Sequence, residues 1–163
     1  MENNSKEPKL LENGGKFEDE RGEIWTTFKE KNKAINHIKI TTNTSKTFRG
    51  FHGDTKTEKY TSCIKGRMTV LIICPENKNY WKYNLSAEKA ESLYIPSGYL
   101  HGYYSEEESI YIYQLIYEGE YTDENNQTTL YLEDSCIDKK LKSELLMTGG
   151  LKRSKRDIKD LEK

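Results

Sequence analysis

The sequence predicts an all-β sandwich or barrel, because short strand-like runs separated by turn signals extend from about residue 16 to 132. Helical periodicity is almost absent from this part of the chain. In the run SIYIYQLI, Tyr111, Tyr113 and Leu115 alternate with isoleucine and glutamine, so one face of the strand carries phenols. The length of 163 residues fits a single domain.

Two strands are expected around Lys65-Gly66. The runs TEKYTSCIKG and RMTVLIIC flank this pair of residues, which suits a hairpin turn. The second run is apolar enough to be buried on both faces. The runs NYWKYNLS and ESLYIPSG add further strands to the sheet or barrel.

The two ends of the chain differ from this β-rich part. After Glu133, the runs IDKKLKSELLM and LKRSKRDIKDLEK are charged, with leucine and isoleucine at helical spacing. We therefore expect two short C-terminal helices separated by Gly149-Gly150. Residues 1–15 are expected to be loosely held, which leaves 16–163 as the domain.

The composition argues against several classes of protein. A net charge of -1 and a pI of about 6.3 lack the basic character of nucleic-acid-binding domains, so no nucleic acid partner is expected. We find neither a signal peptide nor a run of about 18 apolar residues, so we expect a cytoplasmic protein without a membrane partner. Cys63, Cys74 and Cys136 form no CxxC pair, so reduced thiols are expected rather than disulfides or a thiolate zinc site.

Two of the three histidines follow glycine-containing turns. His52 ends the run RGFH, and His101 lies in IPSGYLHG, which matches the second half of the cupin motif. The first half of the metal-binding version has two histidines before its glutamate, and here one of the two is missing. A metal held by His52, Asp54, Glu58 and His101 is therefore an alternative, in a metal-dependent cupin isomerase or oxygenase.

Taken together, the motifs resemble those of the dTDP-4-dehydrorhamnose 3,5-epimerase family, metal-free cupins that act on nucleotide-linked 4-keto sugars. The matching pieces, in order, are FEDERGEI, FRGFH, KYTSCIKGRM, LSAEKAESLYIPSGYLHGY, YQLIYEGEY and LKRSKRD, from Phe17 to Asp157. No single piece is specific for the family, but the order and spacing of the pieces together are. The resemblance implies a cupin (RmlC-like jelly roll) barrel with short C-terminal helices, with no metal and no organic cofactor.

The resemblance also implies a role for each polar residue in the motifs. His52 would be the base that removes a proton alpha to the C4 ketone, and Asp157 would pair with it to fix its tautomer. Lys59 would face the developing oxyanion, where a positive charge in a dry barrel is effective. Tyr113 would deliver a proton from the opposite face, and His101 would contact the substrate.

Substrate-binding positions follow from the same resemblance. Arg21 and Arg49 match the arginines that contact the diphosphate, and their guanidinium groups suit phosphate oxygens. In the family the first arginine reaches across from a neighbouring subunit, which implies a homodimer. His37 and Lys39 lie near the positions that contact the base, and Tyr121 matches the position that stacks on it.

The implied function is epimerisation of a nucleotide-diphospho-4-keto sugar at C3, C5 or both, in bacterial surface-polysaccharide sugar synthesis. Ile24 and Thr26 stand where the family usually has Phe and Glu on the base-binding side, so GDP is an alternative to dTDP, and a heptose to a 6-deoxy sugar. A catalytically silent sugar-nucleotide-binding cupin is a further alternative.

Simpler interpretations exist for each catalytic residue. His52 fits a core histidine, and Lys59 fits a strand edge that its charge protects from aggregation. Tyr113 fits a packing tyrosine with its hydroxyl at the surface. Ser154 and Asp157 also form the pattern of a capping box at a helix start.

Overall fold

Two five-stranded antiparallel sheets form the body of the fold. The computed structural model describes residues 6–120, 127–147 and 149–159. The strands are β1 (Lys9–Glu12), β2 (Lys16–Asp19), β3 (Gly22–Trp25), β4 (His37–Asn43), β5 (Thr47–Gly53), β6 (Glu58–Lys65), β7 (Arg67–Ile73), β8 (Tyr80–Ser86), β9 (Glu91–Ile95), β10 (Leu100–Ser105), β11 (Ser109–Ile116) and β12 (Thr128–Thr129). The first sheet has the order β1-β9-β6-β11-β4, and the second has β12-β5-β10-β7-β8. A separate hairpin joins β2 to β3. The predicted all-β cupin fold is confirmed.

Strand β7 is buried on both faces, as its apolar run predicts. Val70 and Ile72 belong to an inner cluster of buried residues, together with Cys63, Met68, Leu85, Leu93, Ile95, Tyr103 and Tyr111. Leu71 and Ile73 on the opposite face pack in a second cluster with residues of the C-terminal helix. Because strand side chains alternate between faces, a strand buried on both sides reads as a continuous apolar run.

The turn at Lys65-Gly66 does not form the predicted hairpin. Strand β6 pairs with β9 and β11 of the first sheet, whereas β7 pairs with β8 and β10 of the second. The turn therefore carries the chain from one sheet to the other. Gly66 has a φ of +74°, and a Cβ atom there would lie 2.3 Å from the carbonyl oxygen of Glu108. A turn does form at Lys65-Gly66, as predicted, but the residues of a turn do not determine which strands pair after it.

The N-terminal segment includes a strand. Residues 9–12, within the segment expected to be loosely held, form β1 and pair with β9 in a register that sets Lys9 opposite Tyr94. The side-chain amide of Asn13 donates a hydrogen bond to Ser92 Oγ in a buried position. This pairing supplies hydrogen-bond partners to the edge of β9.

The C-terminal part contains one α-helix and one 3-10 turn. Helix α1 (Lys139–Leu146) starts at Asp138, whose carboxylate accepts a hydrogen bond from the Leu141 N–H at 2.9 Å. The second predicted helix is only a single 3-10 turn, Lys155–Asp157. Lys152 exchanges backbone hydrogen bonds with the start of β5, and this contact returns the chain to the second sheet. No helix of the described residues is long and apolar enough to cross a membrane.

Candidate active site

A cavity of about 390 Å³ lies between the two sheets. Its walls come from β4, β6 and β11 of the first sheet, from β5 and β10 of the second, and from the C-terminal segment. Seven of the ten predicted site residues line it: Lys39, Arg49, His52, Lys59, His101, Tyr113 and Asp157. The fold thus brings together side chains from six parts of the sequence.

The two cavity histidines lie on neighbouring strands. His52 of β5 is directly opposite His101 of β10 in the strand register, and the register shifts immediately beyond this pair. The two strands come unusually close there, since a Cβ atom on Gly50 would lie 2.4 Å from the Cα of Gly102. Gly50 also has a φ of +120°, a conformation that favours glycine. The glycine in the RGFH motif therefore allows the strand contact that places His52.

Both ring nitrogens of His52 have hydrogen-bond partners. Nε2 lies 2.7 Å from Oδ1 of Asp157, and Nδ1 lies 3.0 Å from Oγ1 of Thr129. An ionised carboxylate only accepts, so Nε2–H donates to Asp157 and the lone pair of the neutral ring lies on Nδ1. The Thr129 hydroxyl then donates to that lone pair. A histidine held in this tautomer has the arrangement of a general base.

The Asp157 carboxylate bonds to the His52 ring rather than to the backbone at the start of the 3-10 turn. The Asp157 side chain is buried, and the Ser154 side chain makes no capping hydrogen bond to the 3-10 turn. The capping-box interpretation is therefore wrong for this pair. The turn instead directs a buried carboxylate at the histidine ring.

Thr129 is a contact that sequence reasoning missed. It lies on the two-residue strand β12, directly opposite His52 in the register with β5. The run QTTL that contains it has no motif that identifies a functional residue. Only the pairing of strands far apart in the chain shows the contact.

Lys59 is a buried cation, with only 5% of its surface exposed. Its strand β6 lies inside the first sheet, so the interpretation as an edge lysine is wrong. Burial lowers the pKa of Lys59, Asp54 opposes that shift with its carboxylate 3.9 Å away, and Lys39 adds to it. Asp54 is itself held by the backbone N–H groups of Lys56 and Thr57. A buried amine facing a cavity can act strongly on a developing negative charge.

His101 presents a neutral imidazole. Burial lowers the pKa of His101 well below its usual value, and the neighbouring Lys59 and His52 lower it further. Its Nδ1 is buried and has no hydrogen-bond partner among the described residues. Most buried polar atoms in native proteins have a hydrogen-bond partner, so this nitrogen is an exception.

Tyr113 presents a neutral phenol to the same cavity. Burial raises the pKa of Tyr113 well above its usual value, and the neighbouring Tyr103 and Tyr111 raise it further. Its ring contacts the Tyr111 ring at a centroid distance of 4.5 Å and the His101 ring at 5.8 Å. The predicted phenol-bearing face of β11 is therefore turned toward the cavity, not toward solvent.

Two of the predicted binding residues do not line the cavity. Arg21 lies at the tip of the β2–β3 hairpin and pairs with Asp19 at the surface. His37 is exposed, and its Nδ1 lies 3.0 Å from the hydroxyl of Tyr117. Tyr121 lies outside the described residues.

The other cavity residues were not predicted from the sequence. Gln127 and Arg156 come from the C-terminal half, and the Arg156 guanidinium donates to Gln127 Oε1 at 3.0 Å. Thr41, Leu115 and Ser154 complete the lining. Arg156 adds a second guanidinium to that of Arg49.

The residues of the metal alternative do not come together. The carboxylate of Glu58 pairs with Lys6 and Lys33, and that of Asp54 accepts backbone hydrogen bonds. Within residues 6–120, 127–147 and 149–159, no group of three or more His, Cys, Asp or Glu side chains is arranged to hold a metal ion. The donor set that the metal-binding motif requires is therefore not assembled around His52 and His101.

The sequence profile of the dTDP-4-dehydrorhamnose 3,5-epimerase family matches residues 8–161, almost the whole chain. No curated protein matches the chain in sequence.

Solved structures of this family share the fold. The dTDP-4-dehydrorhamnose 3,5-epimerase of Sulfolobus tokodaii is 23% identical, with a TM-score of 0.65 and 76% of each chain covered. That of Bacillus anthracis strain Ames, solved with TDP and PPi bound, is 22% identical, with a TM-score of 0.69 over 83% of this chain and 85% of the other. The Legionella pneumophila enzyme, solved with dTDP-4-keto-L-rhamnose, is 17% identical, with a TM-score of 0.69 over 80% and 76%.

Proposed function

Because the chain belongs to the dTDP-4-dehydrorhamnose 3,5-epimerase family, we propose that it epimerises a nucleotide-diphospho-4-keto sugar at C3, C5 or both. Membership of the family makes the protein an isomerase. One observation carries the proposed chemistry: the His52–Asp157 pair, the Lys59 amine and the Tyr113 phenol line the same cavity.

His52 is the proposed base. A proton alpha to the C4 ketone is acidic enough to be removed when its carbanion is stabilised as an enolate. Nδ1 takes this proton, and Asp157 stabilises the imidazolium that forms. Nδ1 has one lone pair, to which the Thr129 hydroxyl donates at rest, so this hydroxyl turns away before the substrate proton is transferred to Nδ1.

Lys59 is the proposed stabiliser of the enolate. Removal of the proton moves negative charge onto the C4 oxygen. An ammonium group fixed in a site of low dielectric interacts with that charge much more strongly than in water. Its position on a central strand keeps it in place before the charge develops.

Tyr113 is the proposed acid. Its raised pKa keeps the phenol protonated at neutral pH, so it has a proton to give. Delivery to the face opposite His52 inverts the carbon. If His52 returns a proton to the original face instead, the carbon exchanges with solvent but keeps its configuration. The ratio of exchange to inversion therefore reports on Tyr113.

The proposed substrate carries a diphosphate. Arg49 and Arg156 line the cavity, and guanidinium groups bind phosphate oxygens with two parallel hydrogen bonds. The family description and the ligands named for the Bacillus and Legionella structures support dTDP as the nucleotide. GDP stays the alternative nucleotide, which the substrate assay distinguishes, and a heptose stays the alternative sugar. By resemblance, the proposed setting is cytoplasmic sugar synthesis for bacterial surface polysaccharides.

We further propose a homodimer. Phe17 and Ile24 are paired across the β2–β3 hairpin, and both are about two-thirds exposed, at 65% and 69%. Ile38 and Ile40 on the edge strand β4 are also exposed. Apolar side chains grouped in this way favour contact with another protein surface. In the proposed dimer, the hairpin carries Arg21 toward the cavity of the second copy.

Incubation with dTDP-linked and GDP-linked 4-keto-6-deoxyhexoses in deuterated water tests the proposed function. Proton NMR and mass spectrometry locate the deuterium and the inverted centres. We expect deuterium at C3, C5 or both with the dTDP sugar. Absence of exchange with either donor, combined with calorimetric binding of dTDP, would favour the catalytically silent binder instead.

A further inference from the structure

Asp54 is a buried carboxylate to which the proposed mechanism gives no role. It opens the loop between β5 and β6. Its Oδ1 accepts the backbone N–H groups of Lys56 and Thr57 at 2.8 and 2.7 Å. Its backbone carbonyl oxygen accepts the N–H of Gly98 at 2.7 Å, in the turn that precedes β10. These bonds fix both the backbone and the carboxylate of Asp54.

The second oxygen of this carboxylate faces the buried amine of Lys59. Asp54 Oδ2 lies 3.9 Å from Lys59 Nζ, and only 4% of the Asp54 side chain and 6% of the Lys59 side chain are exposed. The same amine donates to the carbonyl oxygen of Thr57 at 3.5 Å, so the β5–β6 loop supplies both contacts. Lys59 lines the cavity, whereas Asp54 does not. The carboxylate therefore supports the amine from behind the cavity lining.

The other groups around Lys59 give its ammonium form little support. Its neighbours in register on β9 and β11 are the uncharged Ile95 and Leu115. The cations that share the cavity lining with it are Lys39, Arg49 and Arg156. The remaining titratable groups of that lining are His52, His101, Tyr113 and Asp157. Of these, Asp157 is the carboxylate, and it bonds to His52 at 2.7 Å.

Asp54 therefore supplies the countercharge that Lys59 needs. Burial lowers the pKa of Lys59 and the charge of Lys39 lowers it further, whereas the charge of Asp54 raises it. A buried ammonium without an opposite charge loses its proton more easily than an exposed one. The enolate is stabilised only by the charged form of the amine.

We propose that Asp54 is a positioning residue: its carboxylate keeps the Lys59 side chain in its ammonium form and holds it at the cavity wall, where the enolate charge develops. The carboxylate neither contacts the substrate nor exchanges a proton with it. This inference rests on the proposed epimerisation. Removing the charge of Asp54 while keeping its loop bonds should make Lys59 lose its proton at a lower pH.

The variant Asp54→Asn makes this change, because an amide oxygen can still accept the N–H groups of Lys56 and Thr57. NMR of protein with isotope-labelled lysine follows the titration of the Lys59 side chain, whose signal is the one missing in Lys59→Met. The pH profile of kcat/KM for deuterium exchange, with the dTDP-linked 4-keto-6-deoxyhexose, gives the alkaline limb. Asp138→Asn is the control, since the Asp138 carboxylate also accepts a backbone N–H but lies outside the cavity lining.

We expect Lys59 to titrate about 1–3 pH units lower in Asp54→Asn, the usual effect of losing an opposite charge at this distance. The alkaline limb of exchange should move by the same amount, whereas Asp138→Asn keeps both at their wild-type pH. An unchanged titration of Lys59 in Asp54→Asn overturns the inference, and so does a shifted titration with an unmoved limb. In both cases, exchange by the wild type leaves the epimerase intact.

Wild-type protein that exchanges nothing at any pH overturns the proposed function, and with it the role of Asp54 in catalysis. If Asp54→Asn does not fold, Asp54→Ser takes its place in both measurements, because a serine hydroxyl can also accept backbone N–H groups and carries no charge. The same outcomes then support or overturn the inference.

Discussion

At the scale of single residues, burial in the cavity shifts the pKa values of His101, Tyr113 and Lys59 away from their ordinary values. Burial keeps His101 neutral and Tyr113 protonated, and it lowers the pKa of Lys59. His52, by contrast, has a carboxylate on one nitrogen and a hydroxyl on the other. The proposed base, the proposed acid and the proposed charge stabiliser thus have different surroundings, as proton abstraction and return require.

Asp157→Asn should lower the rate of deuterium exchange by about a hundredfold or more, because an amide no longer fixes the tautomer of His52 or stabilises its imidazolium. The exchange rate in deuterated water is the measurement. Asp138→Asn is the control, since Asp138 caps helix α1 and asparagine caps a helix equally well. Exchange at the wild-type rate in Asp157→Asn would remove this carboxylate from the mechanism.

The rate should fall on the alkaline side at a pH below the ordinary lysine pKa of about 10.4. Burial favours the neutral amine and so lowers the pKa of Lys59, which means that the ammonium is lost at a lower pH than for an exposed lysine. Because the enolate needs the ammonium, activity is lost as the pH rises through this value. The pH profile of kcat/KM measures it, because kcat/KM reports the ionisations of the free enzyme. Lys59→Met, assayed for residual exchange, should lack this limb.

At the scale of elements, the C-terminal segment is the part that completes the site. It leaves helix α1, contacts β5 through Lys152 and ends in the turn that carries Asp157. The Arg153 guanidinium pairs with Glu133 at 2.7 Å, and both side chains are largely buried. Burial acts to raise the pKa of Glu133, yet the bonds and charge of Arg153 outweigh it, so the pKa is lowered overall. The ion pair therefore fastens the segment near His52.

Arg153→Met should destabilise the fold by about 1–3 kcal/mol, the cost of leaving a hydrogen-bonded carboxylate without its partner. It should also slow exchange, because Asp157 is held less firmly. Arg67→Met is the matched control: Arg67 pairs with Glu88 at 2.6 Å, but both side chains are exposed. Thermal unfolding measures both variants. Equal Tm values for the two would show that the buried pair does not fasten the segment.

The β2–β3 hairpin is the element expected to make the dimer. Ile24→Asp should convert the dimer to a monomer, because it places a charge in the apolar contact, and should weaken sugar-nucleotide binding by removing Arg21 from the second cavity. Light scattering measures the mass, and calorimetry measures the binding. Met147→Ser, at another exposed apolar position, is the control. A wild-type protein that is monomeric at assay concentration would contradict this account.

At the scale of the whole molecule, the sequence predicted the cavity better than it predicted the path of the chain. The RGFH and IPSGYLHG motifs and the family resemblance selected His52, His101 and Tyr113, and all three line the cavity. The alternation in β11 predicted only that one face of this strand carries phenols, because strand periodicity determines the face on which a side chain lies. The prediction that the strands on either side of Lys65-Gly66 pair as a hairpin was wrong, because turn residues do not specify strand partners. Thr129 reaches His52 only through long-range pairing, which no local pattern records.

In the proposed dimer, the nucleotide-binding half of the site would draw on more than one copy of the chain. Within the described residues of one chain, Arg21 and His37 lie outside the cavity that holds the proposed base. A sequence motif identifies such residues by their spacing but does not say to which copy's cavity they contribute. The proposed dimer accounts for Arg21, since a hairpin with exposed apolar side chains has a surface left to bury.

Whether His52 removes the proton is decided by a variant that lacks the imidazole, His52→Asn. The variant and the wild-type protein are incubated with the dTDP-linked 4-keto-6-deoxyhexose in deuterated water, and calorimetry measures binding of dTDP to each. The account predicts that the wild type incorporates deuterium, whereas His52→Asn binds dTDP normally and incorporates none at C3 or C5. Deuterium incorporation by His52→Asn at the wild-type rate would contradict it.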